Sequence, residues 1–370
     1  MLIFFIDDII LLENIMDKVV IDLLDKIEEN SFRAYVVGGY SRDYLLGNKS
    51  FDVDICTNAL PSDIKNMFNL DTLDTYGGYH FDFGLYKIDI TTFRKELKYD
   101  KRKPIEYKFV RTIEEDVGRR DFTINAIYMD KNEVVVDPLN GRKDLENKII
   151  RLIGGEEKLK EDPLRMLRAI RFATVLDFEI DSSLYFMIAN NKGLIITLSD
   201  MRIKEEYTKI LSNKNFAKGL NILEKLGINS LLNIEYSDII YTDNVLGMWA
   251  QIKCVNRSFT KEEKSNIIKI TEIVNKGTID EIILYKYGLK IVSIAGQILG
   301  IDYNFLQEMN DRLPIKNRND IDICDEEIRN LTNVKPKIVW SKLEVDILKR
   351  KVINQNNELK KYIREIKESD

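Results

Sequence analysis

The chain has 370 residues, 44% apolar and 32% charged, with a formal net charge of −5. That is enough for two or more domains with sizeable cores, and the weak acidity leaves room for an anionic partner wherever Lys and Arg gather. Three dispersed cysteines, Cys56, Cys254 and Cys324, exclude a disulfide framework and fit a reducing cytoplasm, while a single histidine, His80, excludes His–His metal sites and argues against Ser-His-Asp chemistry.

In chain order, the apolar opening "MLIFFIDDIILLENI" has no basic n-region, carries Asp7 and Asp8 within it and is too short to span a bilayer, so it reads as neither a signal peptide nor an anchor, and no membrane is implied. Residues 17–29, "DKVVIDLLDKIEE", place apolar residues at helical spacing. "AYVV" then runs into Gly38 and Gly39 ahead of a second helical stretch. A strand turning through glycines into a helix aims free N–H groups at whatever lies in front, which suits an anion. The spacing is neither that of the dinucleotide fingerprint nor that of the P-loop.

In "FDVDIC", Asp52 and Asp54 alternate with Phe51, Val53 and Ile55, so both carboxylates share one strand face. Two like charges roughly 7 Å apart on one face repel. A hard divalent cation such as magnesium is the natural counter-charge. Asp89, in the strand-like "LYKIDITTF", reaches the same place if the two strands are neighbours. A phosphate-cradling turn with three strand carboxylates is the equipment of two-metal nucleotidyl transfer. Between the head strands, "RKELKYDKRKP" reads as a basic loop, and "NEVVVD" as a further strand. From about residue 158 the pattern turns helical, through "KLKEDPLRMLRAIRFATVLDF" and "MRIKEEYTKILSN", to a basic C-terminal stretch. The expected fold is therefore α+β: a small mixed head built on a β-sheet, followed by an all-α remainder.

The ordered series "VVGGYSRDYLLGNKSFDVDI", "ITTFRKELKYDKRKP", "EEDVGRRDFTINAIYMD", "EDPLRMLRAIRF" and "LSDMRIKEEY" resembles the class II tRNA nucleotidyltransferases, the CCA-adding enzymes, and the related bacterial poly(A) polymerases. The resemblance runs from about residue 31 and continues more weakly into "LPIKNRNDIDICDEEI"; residues 1–15 match nothing in it and are expected to be dispensable. It implies a catalytic head over 31–150 after an N-terminal extension and helix over 1–30. A neck over 151–212 would carry the base-reading element, with a body over 213–310 and an RNA-binding tail over 311–370.

Gly39 and Arg42 would contact a triphosphate, Asp52 and Asp54 would hold Mg2+ with Asp89 as a third catalytic acid, and Arg120 and Asp121 would recognise the ribose. Asp162 and Arg165 would read the base, with Arg168 and Arg171 following. The implied partners are tRNA and the substrates CTP and ATP, with no protein partner. The basic loop belongs to enzymes that switch from adding C to adding A. Two departures stand out: Tyr40-Ser41 where the family more often has a small residue and Val, and Met201 where Glu usually precedes Arg202. A poly(A) polymerase, an A-only enzyme and a noncatalytic tRNA-binding protein remain as alternatives.

On one helix, residues three apart share a face, so Asp162 and Arg165 are expected to project together. A carboxylate only accepts hydrogen bonds and a guanidinium only donates them. Cytosine and adenine both offer an amino donor beside a ring-nitrogen acceptor, whereas uracil and guanine reverse both. With each buried mismatch costing about 1–3 kcal/mol, the pair rejects UTP and GTP by on the order of a thousandfold. Lys349, Arg350, Lys351, Lys360 and Lys361 read either as grips on the RNA backbone or as a solvated helix face.

Overall fold

Val20, Leu23, Leu24 and Ile27 recur along one face of helix α1 (Lys18–Glu28), and all four are buried against a sheet. The computed structural model describes residues 16–71, 76–100, 103–254 and 258–366. The apolar opening, residues 1–15, lies outside them, as do Lys101 and Arg102 of the basic stretch.

The described chain forms two compact units. The first takes residues up to 210 together with 215–228. In it, β1 (Ala34–Val37) enters α2 (Gly38–Leu45), and β2 (Asp52–Thr57) enters α3 (Pro61–Phe68). Strands β3 (Gly78–Phe83) and β4 (Tyr86–Thr92) follow as a hairpin. The stretch expected to be a loop is instead a second, separate hairpin, β5 (Arg94–Asp100) with β6 (Lys103–Phe109). Its charged residues are interleaved with Leu97, Tyr99, Ile105, Tyr107 and Phe109, the alternation that a two-stranded ribbon tolerates. After α4 (Ile113–Asp116) come the two-residue strands β7 (Tyr128–Met129) and β8 (Val135–Val136), which complete a six-stranded sheet of order β3-β4-β2-β1-β7-β8.

Only β2 and β4 run parallel in that sheet; the other neighbours are antiparallel. Val53, Ile55, Ile88 and Ile90 from this parallel pair all point to the α1 side, and each contributes about 1.5–3 kcal/mol on burial. The period of two then sends Asp52, Asp54 and Asp89 to the opposite face.

Beyond the sheet, α5 (Gly141–Glu146) and β9 (Ile149–Ile150) lead to α6 (Glu157–Glu161) and α7 (Leu164–Val175). β10 (Glu179–Ile180) pairs in parallel with β9, and α8 (Ser182–Asn191), α9 (Asp200–Leu211) and α10 (Phe216–Lys225) follow. The second unit takes residues 211–214 and everything from 229. After α11 (Ile228–Leu231), β11 (Ile234–Tyr236) pairs with β12 (Ile252–Cys254) around α12 (Val245–Ala250). The rest is helical: α13 (Lys261–Lys276), α14 (Glu281–Tyr287), α15 (Leu289–Leu299), α16 (Tyr303–Asp311), α17 (Asp325–Leu331), α18 (Pro336–Leu348) and α19 (Asn356–Glu365). One apolar cluster, with Val292, Leu306, Val339 and Leu343 at its centre, runs through these helices. Among the described residues no helix is long and apolar enough to cross a membrane.

Candidate active site

The turn from β1 into α2 is shaped by its neighbour strand. Gly38 has φ +71°, and a Cβ there would lie 2.6 Å from Asp54 Oδ2, so only glycine lets the turn pass so close to the carboxylate. Gly39 N–H donates to the same oxygen at 3.4 Å. Ser41 Oγ donates to the Ile127 carbonyl at 2.7 Å, tying α2 down, while Tyr40 packs into the core, its hydroxyl pushed up to about 12 first by burial and then by Asp17. The Tyr40-Ser41 pair thus serves packing and anchoring.

Asp54 sits directly opposite Asp89 in the parallel β2–β4 register, with Asp52 one pleat away opposite Lys87. Burial raises the pKa of Asp54; Arg120 opposes this, and Asp89 and Asp52 add to it. A carboxyl whose ionisation is opposed first by burial and then by neighbouring carboxylates fits a dication, whose charge favours the ionised form. Among the described residues no three His, Cys, Asp or Glu side chains form a complete metal cage. Magnesium suits such a partial set, since it retains waters and shares substrate phosphates. The chain's one histidine lies across from Asp89 on β3, with His80 Nδ1 against Asp89 Oδ1. No pattern in the sequence marks that histidine as a neighbour of the carboxylates.

Arg120 is anchored by Asp116, which is fully buried: Nε and Nη2 reach Asp116 Oδ2 at 3.2 and 3.1 Å, and Nε reaches Tyr128 Oη at 2.9 Å. Burial would lower the pKa of Arg120, but Tyr128 and Asp116 outweigh it and keep the guanidinium charged. Asp116 also accepts from Arg119 Nε at 2.7 Å and from the Arg94 N–H at 3.0 Å, so one carboxylate fixes two arginines and the root of β5. Asp121 accepts from Arg168 Nε at 2.8 Å and Nη2 at 2.5 Å, and from Asn125 Nδ2 at 3.1 Å. Burial would raise Asp121, but Arg168 and Asn125 overcome it and hold the carboxyl at about 2. Asn125 Oδ1 in turn accepts from Arg42 Nη1 at 2.7 Å, so a continuous chain of bonds joins α2 to α7.

Asp162 and Arg165 do not lie on one helix as expected. Pro163 has no N–H to continue α6, and Asp162 is extended at φ −139°, ψ 93° between the helices. Its Oδ1 accepts from Leu164 N–H at 3.0 Å, capping the start of α7. Arg165, in the first turn, donates from Nη2 to the Arg119 carbonyl at 3.1 Å, while its buried Nη1 has no acceptor among the described residues. Deeper in α7, Arg171 Nε lies 3.3 Å from Glu206 Oε2 of α9, an ion pair whose geometry falls short of a hydrogen bond. Glu206 therefore braces α7, and Met201, at 56% exposure, stands out of that contact.

Asn125, Asp116 and Glu206 were missed in the sequence. Two of them had a signal, since Asp116 precedes Arg120 by one helical turn and Asn125 follows Asp121 by the same interval. At the far end of the chain, Arg350 is held by Glu281, Lys351 by Asp346, Lys360 by Glu327 and Lys361 by Glu358. Four of the five residues read as possible RNA grips are thus already neutralised.

Residues 34–151 match the poly A polymerase head domain, and residues 177–233 match the probable RNA and SrmB-binding site of polymerase A. The chain is 36% identical to the CCA-adding enzyme of Ligilactobacillus salivarius, covering 93% of this chain and 96% of the relative. It is 30% identical to that of Staphylococcus haemolyticus, with the same coverage. Among solved structures, the Bacillus stearothermophilus CCA-adding enzyme in complex with CTP superimposes with a TM-score of 0.82 at 23% identity, covering 94% of this chain and 96% of that one, which supports the shared fold.

Proposed function

The chain belongs to the CCA-adding enzymes, and from that membership we propose how its residues divide the work. The reaction is addition of CCA to the 3′ end of tRNA from CTP and ATP. We assign Asp52 and Asp54 as the magnesium-holding pair, with Asp89 as the third acid of the same face. Magnesium bound there supplies a Lewis acid for the attacking 3′-hydroxyl and counter-charge for the departing pyrophosphate, as in two-metal transfer.

The chain's own groups do the rest. The N-terminus of α2 with Gly39 and Arg42 binds the triphosphate, assisted by Arg168 and Arg171. Arg120 and Asp121 orient the ribose. Asp162 accepts from the amino group of C or A, and Arg165 donates to the ring acceptor beside it. On this reading the head, 31–150, and the neck, 151–212, carry the chemistry, and the body, 213–310, and tail, 311–370, hold the RNA. The three dispersed cysteines support a reducing, cytoplasmic setting for the enzyme.

One observation carries the base-reading assignment. Arg165 is 6% exposed, yet its Nη1 finds no acceptor among the described residues. A buried unpaired donor on a guanidinium costs about 1–3 kcal/mol or more, a debt that a ligand acceptor removes. The test uses tRNA transcripts ending before CCA, after C and after CC, each given CTP, ATP or both. Ordered growth to CCA and no further is the expected product; A-only addition or a long A tail would replace this reading by an A-adding or a poly(A) enzyme.

A further inference from the structure

Three guanidiniums converge on one aromatic ring. The centroid of Phe172 lies 4.2 Å from Arg171 Cζ, 5.2 Å from Arg42 Cζ and 5.4 Å from Arg168 Cζ. Arg168 reaches it as an i,i+4 neighbour on α7, Arg171 is adjacent in sequence, and Arg42 arrives from α2. The ring is nearly buried and packs edge-on against Phe122, with centroids 5.7 Å apart and planes at 80°, so its orientation is fixed by the core.

Like charges gathered so closely repel, and each arginine has its own acidic neighbour: Asp43, Asp121 and Glu206. These pairs do not remove the strain at Arg171, whose pKa burial brings down to about 10, with Arg168 and Arg42 pulling the same way against Glu206. What the three share is the negative face of Phe172, an attraction that uses none of their N–H donors. The N–H groups that Asp43, Asn125 and Asp121 do not already engage are left for an anion. An aliphatic side chain of the same size would bury the same area and supply no such field.

We propose that Phe172 is a positioning residue for the nucleotide triphosphate, its ring holding Arg42 of the phosphate turn beside Arg168 and Arg171 of α7 as one polyanion receptor. The inference rests on the assignment of those arginines to the triphosphate. It goes beyond it in making an apolar residue a determinant of phosphate affinity, acting on CTP and ATP alike and leaving the choice of base untouched.

The test replaces Phe172 with ring-fluorinated phenylalanines bearing one, two and three fluorines, which weaken the ring's negative face at nearly constant shape, alongside Phe172→Leu and Phe172→Tyr. Affinities for CTP, ATP and inorganic tripolyphosphate are measured by titration without RNA, together with KM and kcat for addition to tRNA and the melting temperature. The expected result is a stepwise loss of affinity for all three ligands, reaching roughly tenfold with three fluorines. KM should rise to match, with kcat, the CTP-to-ATP ratio and melting temperature held, and Phe172→Tyr should restore binding. Tripolyphosphate affinity indifferent to fluorination overturns the proposal, even if Phe172→Leu unfolds the protein. A wild-type protein that binds tripolyphosphate but never extends tRNA would refute the CCA reading while leaving the fluorine series to decide the role of the ring.

Discussion

Strands and helix equip the two sides of the candidate site in opposite ways. On β2 and β4 the carboxylates share one face, and Asp54 resists ionisation because it is buried and neighbours Asp89 and Asp52. On α7, Arg168 is hydrogen-bonded to Asp121 and Arg171 faces Glu206 as an ion pair, and among the described residues Arg165 alone retains a buried, unsatisfied side-chain donor. The strand side thus gathers like charges on one face, whereas the helix side offsets most of its charge with acidic neighbours. The first suits cations that travel with a substrate; the second suits discrimination, where one open donor in a fixed frame reports whether a base matches.

Removing the strand charge should break the contrast most severely. Asp52→Ala and Asp54→Ala should each lower incorporation of both CTP and ATP by roughly a thousandfold or more, with tRNA binding nearly intact. Single-turnover incorporation in magnesium, together with RNA titration, measures both. Robust C addition by either variant would show that the carboxylate face is not where the metal acts.

Changes on the helix side should be smaller and more selective. Asp162→Ala leaves the amino group of C or A unpaired and also removes the repulsion against the carbonyl of U or G. Selectivity for CTP and ATP over UTP and GTP should therefore fall by roughly ten- to a hundredfold, the worth of one contact at about 1–3 kcal/mol. Arg165→Ala should weaken CTP and ATP together, because one guanidinium serves both. The measurement is kcat/KM for all four nucleotides on one tRNA acceptor. A uniform loss with unchanged ranking would make the Asp162 cap and the first turn of α7 purely structural.

These contrasts were unequally legible in the sequence. Period-two alternation alone puts Asp52 and Asp54 on one face, because a strand leaves side chains no other arrangement. It does not give the pairing of β2 with β4, which depends on the buried Val53, Ile55, Ile88 and Ile90 meeting α1. The helical pattern of "EDPLRMLRAIRF" located α7 but overran its start, since Pro163 breaks the hydrogen-bond ladder and turns Asp162 into a cap. Glu206 and Phe172 were hidden for a different reason. A glutamate and a phenylalanine in amphipathic surroundings carry no local mark of function, and the partners that give them one, Arg171 for the first and Arg42 for the second, lie far away in sequence.

The contrast also predicts opposite signs for pH and stability. Asp121 is held at about 2, below the ordinary carboxylate value, because Arg168 and Asn125 outweigh its burial. Its contribution is present above the unfolded-state pKa near 4 and is lost as pH falls toward 2. Asp54 is raised, first by burial and then, against Arg120, by Asp89 and Asp52. The folded state favours its protonated form, so that contribution is present at low pH and is lost as pH rises through the carboxyl range. Asp121→Asn should therefore destabilise the protein at pH 7 by on the order of 1–3 kcal/mol and flatten the loss of stability between about pH 4 and 2. Asp54→Asn keeps an oxygen for the Gly39 N–H and removes an unwelcome charge, so it should raise the melting temperature at pH 7 while lowering activity. Denaturant unfolding of the wild type and both variants across this range provides the check. If Asp54→Asn also destabilised the protein at pH 7, the strand carboxylates would be as well balanced as the helix arginines, and the asymmetry between the two sides would be lost.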